Sequence, residues 1–369
     1  MTPSRRFGIV FPRGGIDPIG AAVAGGFTEA GCAVQPLIPG RAWDLAGLDY
    51  VVIYGPMQSL AETIATLRRH QHRPPVLVWL TEQLADPRGP YRAQTIAARL
   101  RFGLESLSWP AVVRRQPPLG SAGVPPASDR AGGTPALPSS GARLSPSVAA
   151  ALLRRAGRLR ILGELLALRD LGCLALVAAF TETNAGCLWR HGLPAAVAPM
   201  GYHPSYGGPL GLERDIDVVF LGTLRDRRRT GIVRRLQRDL DRRGIALTLR
   251  DGSASHGYAY GEVRTVLLNR AKIMLNIMRQ PWDDGIHRML LAAPNGAMVV
   301  SEPIIATSWG PFRPDVHFVM APHDRLAETI ARYLADADAR RTIAGRAYDS
   351  VVNGLTMRAA AERVLEALG

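Results

Sequence analysis

Two segments in the second half of the chain combine glycine, arginine and a helix start, the set of groups that binds phosphate. In Leu221-Gly222-Thr223-Leu224-Arg225-Asp226-Arg227-Arg228-Arg229 an apolar run breaks at a glycine and passes into an arginine-rich helix start. A first helical turn leaves N–H groups without partners at the positive end of the dipole, and guanidinium groups add bidentate, charge-assisted hydrogen bonds. The segment therefore suits an anion, and equally a basic, solvated helix start. In the stretch from Pro281 to Glu302, Gly285 opens a helix carrying His287 and Arg288 in its first turn, and Gly296 stops it. Two donors and a helix dipole would converge there on one anion. The structural alternative is a plain turn at Gly285 with Arg288 facing solvent.

Group transfer at such an anion calls for a base near the acceptor, and Asp17, Glu82 and Glu182 follow the ends of apolar runs in the first half. Acidic loop residues also serve as helix caps. His70 and His72 sit near a helix end, and no His-x-x-x-His pair occurs. Cys32, Cys173 and Cys187 form an odd set without C-x-x-C spacing. No metal site and no disulfide framework are expected, and a reducing compartment fits best.

The elements that must position these residues alternate. Phe7–Phe11 reads as a strand leading through Pro12-Arg13-Gly14-Gly15 into a helix over 17–30; further strands at 50–54 and 76–80 flank a helix over 59–70. Between 116 and 146 the pattern dissolves into Pro, Gly, Ser and Ala, which predicts a flexible surface insertion. Helix over 147–170 and strand over 174–180 resume the alternation. After a turn-rich stretch, strand 216–222, helix 226–243, strand 246–249, helix 261–270 and strand 273–277 follow, and three helices, 325–334, 338–353 and 357–368, close the chain. Such βαβ repetition implies two Rossmann-like domains with parallel sheets and a ligand cleft between their C-terminal strand ends. The expected division is an N-terminal domain over 1–203, a hinge over 204–214, a second domain over 215–352 and a C-terminal helix over 353–369.

The chain has 369 residues, 47% hydrophobic and 21% charged, with a formal charge of +14, enough for two packed domains and too apolar for a disordered chain. Lys272 is the one lysine, and the arginines are scattered as pairs along the whole length. That dispersal fits a coding bias toward arginine rather than a nucleic-acid footprint, which would cluster. Arg5-Arg6 is followed at once by Pro12, Arg13 and Asp17, so no signal peptide is read. Leu159 to Phe180, interrupted by Glu164, Arg169 and Asp170, does not read as a transmembrane span. A cytoplasmic location follows.

From Asp217 to Leu365 the sequence resembles the second domain of GT-B glycosyltransferases, in the spore-maturation-protein-like branch of the group 1 transferases. The resemblance is carried by Phe220-x-Gly222 followed by arginines, Lys272-Ile-x-Leu-Asn276, the Gly285-x-x-Arg288 helix start ending at Gly296, the Phe312 to His317-Phe318 turn, and Ile343-Ala344-x-x-Ala347 through Arg358. The first domain matches in outline only, at Val78–Glu82 and Gly192–Pro204. The resemblance implies a nucleotide-sugar donor on the second domain, an unidentified acceptor on the first, no obligatory metal and no separate cofactor. Donor contacts are then expected from Gly222, Thr223, Arg225, Arg228, Lys272, Asn276, Gly285, His287, Arg288 and Glu302. Many relatives carry a glutamate three residues after the arginine, for the donor's hydroxyls; this chain has Leu291, leaving Asp283, Asp284 or Glu302 to substitute. A nucleotide-sugar epimerase, a non-catalytic sugar-binding or coat-associated protein, and a nucleic-acid binder are the alternative readings.

Overall fold

The computed structural model describes residues 5–12, 17–55, 60–81, 86, 88–115, 159–283, 285, 287–304 and 312–369. The expected insertion at 116–146 and the start of the helix placed at 147 lie outside these residues. The first sheet has six strands: β1 (Arg6–Val10), β2 (Ala33–Leu37), β3 (Tyr50–Tyr54), β4 (Val76–Trp79), β5 (Leu174–Ala179) and β6 (Ala195–Val197), in the order β2-β1-β3-β4-β5-β6. Every pairing is parallel. All four residues of β4 are buried, the unbroken apolar run expected of a parallel strand covered on both faces. β2 includes Pro36 and lies at the sheet edge, where a missing N–H costs no ladder bond.

The helices of this lobe are α1 (Pro18–Glu29), α2 (Leu60–Arg69), α3 (Tyr91–Arg115), α4 (Arg160–Asp170) and α5 (Glu182–Arg190). A 3-10 turn at Pro204–Tyr206 leads to the second sheet, in which β7 (Ile216–Leu221), β8 (Leu247–Arg250), β9 (Ala271–Asn276), β10 (Met298–Ser301) and β11 (Val319–Met320) take the order β11-β10-β9-β7-β8, again all parallel. Its helices are α6 (Arg227–Asp241), α7 (Gly261–Arg270), α8 (His287–Ala292), α9 (Leu326–Ala335) and α10 (Ala337–Asp349), followed by a π-helical turn at Ser350–Gly354.

The chain then crosses back. α11 (Met357–Leu368) packs on α1, and Tyr202 bridges to the segment before it, with Tyr202 N donating to Leu355 O at 2.6 Å and Met357 N donating to Tyr202 O at 2.8 Å. Gly26 and Gly201 permit this approach: a Cβ on Gly26 would stand 2.5 Å from Met357 Cγ, and one on Gly201 would overlap the Thr356 carbonyl. Three buried clusters result. One lies within the first lobe around Ile53, Leu77's neighbour Val78 and Leu165, and one within the second around Phe220, Ile273 and Val300. The third is continuous across both lobes, from Phe7 and Phe27 through Tyr206 and Met357 to Met274 and Leu290. No helix among the described residues is long and apolar enough to cross a membrane.

Both sheets have a switch point. β1 is flanked by β2 and β3, and β7 by β8 and β9, so consecutive connections leave in opposite directions and open a crevice at the C-terminal strand ends. Asp17 and Tyr54 occupy that position in the first lobe, Gly222 and Asn276 in the second.

Candidate functional site

At the second switch point the glycine that ends β7 has φ +147°, in the region open to glycine. A Cβ there would lie 3.1 Å from Arg288 Nη2 and 3.4 Å from Arg229 Nη1. Gly222 therefore brings main chain and two guanidinium groups together. Arg288 is aimed by Asn276, whose Oδ1 accepts from Arg288 Nη1 at 2.7 Å while its Nδ2 donates to Ser301 Oγ at 2.9 Å. Asn276 is itself pressed against Gly285 (φ +62°), where a Cβ would come within 2.6 Å of its Nδ2. Five residues expected from the sequence thus share one place: Gly222, Asn276, Gly285, His287 and Arg288.

Arg229, which sequence reasoning did not select, is the most constrained cation. It is only 3% exposed, lies over the Phe220 ring at 5.8 Å, and donates from Nη1 to the Thr223 carbonyl at 3.3 Å, while its Nε has no hydrogen-bond partner. Burial, with Arg288 and Arg279 nearby, pushes its pKa down to about 9. A signal for it existed: Arg229 begins the buried face of α6 that continues with Val233, Leu236 and Leu240, an arginine on an apolar stripe. His287 lies beside the same cluster. Burial and the charges of Arg288 and Arg264 push its pKa down to about 4, so its imidazole is neutral at pH 7.

Other expectations are corrected. The α6 terminus does not present its amides, because Asp226 caps it and accepts from Arg228 N at 3.0 Å and Arg229 N at 3.4 Å. A carboxylate sits where the sequence placed an anion, so guanidinium groups carry the positive charge. Arg228 and Glu302 satisfy each other: Arg228 is bidentate on the buried carboxylate, which also accepts from Met278 N at 2.6 Å and meets His323 Nε2 at 2.6 Å. Glu302 is thereby committed to a structural network that sequence reasoning missed, rather than to a donor's hydroxyls. Lys272 is the second residue of β9 while Asn276 ends it, roughly 13 Å apart along the strand, and it pairs with Asp217 at 2.7 Å at the far end of the sheet. Arg225 is exposed in the turn, and Thr223 contributes its carbonyl. Leu291 packs partly buried against the central cluster.

Of the acids, Glu82 lies outside the described residues, and Glu182 is exposed at the first turn of α5. Asp17 caps α1, accepting from Gly20 N at 2.8 Å and from the Tyr54 hydroxyl at 2.5 Å. The lobes meet between these groups. The Phe180 ring stands edge-on to His287 at 6.3 Å, and Tyr206, 1% exposed with an unpartnered hydroxyl, is within electrostatic reach of Asp17 on one side and Arg264 on the other. Arg264 has buried Nε and Nη2 atoms without hydrogen-bond partners. Neither Tyr206 nor Arg264 carries a motif. Among the described residues, no group of three or more His, Cys, Asp or Glu side chains is placed to hold a metal ion.

Residues 228–366 match the glycosyl transferase-like family model. No curated protein matches the sequence. Three solved structures superpose along almost their whole length. Sucrose-phosphate synthase from Thermosynechococcus elongatus is 12% identical, with 98% of each chain covered and a TM-score of 0.58. A glycosyltransferase from Rickettsia africae is 9% identical, with 99% and 98% covered and a TM-score of 0.56. HepE from Anabaena, solved with UDP-glucose, is 12% identical, with 98% and 99% covered and a TM-score of 0.53. The fold is GT-B, as the resemblance implied, and residues 228–366, which span most of the second lobe, are similar to the glycosyl transferase-like family. The enzyme class read from the sequence, a glycosyltransferase, is borne out at that level.

Proposed function

We propose that this chain transfers a sugar from a nucleoside diphosphate sugar, a UDP-sugar in the first instance, to an acceptor held by the first lobe. The donor's pyrophosphate lies against Gly222, Arg229 and Arg288. The observation that supports this most is Arg229: a buried guanidinium with an unpartnered Nε, whose burial and two neighbouring arginines outweigh the pull of Asp283 and Glu302, suits an added anion. As the glycosidic bond breaks, the leaving diphosphate gains negative charge, and preorganised guanidinium groups stabilise it without the reorganisation that water would need. Metal independence and the absence of a further cofactor are part of the proposal, because arginines supply the charge a divalent ion would supply.

In this reading, residues 215–352 form the donor side and residues 1–203 the acceptor side, with 204–214 as hinge. The chain belongs to the spore-maturation-protein-like branch, supported by its Gly285-x-x-Arg288 helix start, and works in the cytoplasm, in keeping with a cysteine set that frames no disulfide. Asp17, bonded to the Tyr54 hydroxyl and within electrostatic reach of Tyr206, is the acceptor-side base in this reading. A thermal-shift titration with UDP tests the proposal: stabilisation rising with ligand concentration, lost in Arg288→Ala, is expected. A UDP response identical in Arg288→Ala and the unchanged chain would overturn the site.

A further inference from the structure

The opposite end of the second sheet holds a cavity of about 420 Å³ lined by Arg214, Lys272, Arg340, Arg341, Gly345 and Tyr348, among others. Its residues belong to the segment before β7, the N-terminal end of β9, the turn at Gly296 and one face of α10, so it lies away from the strand ends that hold Gly222 and Asn276. Four cations enter its wall. Arg214 is fixed by the carbonyls of Leu268 (3.1 Å), Ala271 (2.5 Å) and Asn295 (2.7 Å), and Arg340 by those of Tyr333 (2.7 Å) and Leu334 (3.0 Å). Carbonyl dipoles orient a guanidinium but cancel no charge. Lys272 pairs with Asp217 and Arg341 with Asp338, and Asp217 and Asp336 also offset Arg340, but none of these carboxylates is among the residues that line the cavity. Burial and the charge of Arg340 hold Arg214 below its ordinary pKa; burial and Arg341 do the same to Arg340. Gly345, an exposed residue of helix α10, is part of the lining, and a Cβ there would meet nothing within 4 Å, so a larger side chain can be placed at the cavity without a clash.

We propose that this cavity is a second anion site that binds a small phosphate-bearing molecule, its phosphoryl group held by Lys272, Arg340 and Arg341 beside the Tyr348 ring. The volume falls in the range of small-ligand pockets, and a rigid guanidinium fork matches phosphate oxygens better than a diffuse surface charge does. The site stands apart from the nucleotide reading, and neither depends on the other.

Titration calorimetry with inorganic pyrophosphate at constant ionic strength tests it. The background is an Arg229→Met/Arg288→Ala chain, which removes the anion anchors at β7 and β9. That chain is expected to bind one pyrophosphate. Gly345→Leu, which adds a side chain to the cavity's lining, and Lys272→Ala/Arg341→Ala, which strips two charges from its wall, are each expected to weaken binding at least tenfold. Gly345→Leu should melt at or above the temperature of its parent, because it replaces a glycine in a helix interior, so its loss of binding would not reflect unfolding. Unchanged affinity in either variant, or no pyrophosphate binding by the background chain, overturns the proposal.

Discussion

Arg288 stands over Gly222 so closely that a single methyl group on the glycine would touch its guanidinium, 3.1 Å from Nη2. The strand end and the helix start that face the interlobe crevice are thus one unit, held by Asn276 between Arg288 and Ser301. Gly222→Ala should fail twice, by forcing a β-carbon into φ +147° and by displacing the arginine. Backbone strain of this kind costs about 1–3 kcal/mol. Denaturant melts should show a loss of that order, and UDP titration a loss of affinity at least tenfold; an alanine variant that binds as before would rule out the shared phosphate seat.

Arg229→Met separates stability from function. An unsatisfied buried polar group costs about 1–3 kcal/mol, and this guanidinium also faces Arg288 and Arg279. The methionine variant should equal or exceed the parent in melting temperature without ligand, yet lose its thermal response to UDP. A large destabilisation with the UDP response intact would reverse the assignment.

Glu302→Ala tests the network behind the site. It leaves Arg228 without the carboxylate it grips and frees Met278 N and His323 Nε2. Breaking a buried ion pair from one side costs about 3–5 kcal/mol. Urea unfolding should show a loss of that size, and a variant within 1 kcal/mol of the parent would mean the pair contributes little.

His287 makes stability depend on pH in a defined window. Its folded pKa, about 4, lies below the unfolded value of 6.5, so the unfolded chain binds more protons between them. Its contribution is complete above pH 6.5 and fades as pH falls toward 4. His287→Asn should therefore flatten the fall in melting temperature across that interval relative to the parent. Parallel curves for the two proteins would show that the imidazole is not held neutral.

Gly201→Val addresses the return of α11 to the first lobe. The added carbons meet the Thr356 carbonyl and the Met357 amide, which the bridge through Tyr202 holds in place. Overpacking costs about 1–3 kcal/mol, and a thermal melt should fall accordingly; an unchanged melt would mean that the helix is not docked as described.

The alternation of apolar runs with helical patterns was enough to anticipate two parallel sheets, because strands buried on two faces are nearly all apolar, although the buried inner strand β10, just after Gly296, was not read as one. Edge and short strands such as β2, β6 and β11 carry no such run and were not legible. Gly222, Gly285 and Arg288 could be read because each marks a local break where a strand or helix ends. Arg229 was overlooked although its spacing to Val233 and Leu236 places it on the buried face of α6.

Sequence alone determined the two-lobed alternation and the glycine-marked ends at which an anion could be held, since both follow from local periodicity and backbone freedom. Which cation serves the ligand was decided only by tertiary structure. Arg228 and Arg229 are neighbours in the chain, yet one grips Glu302, 74 residues away, and the other is buried with its Nε unpartnered. Whether a charge is cancelled depends on distances between strands that local sequence does not encode, and the same distances carry Lys272 to the far end of its sheet.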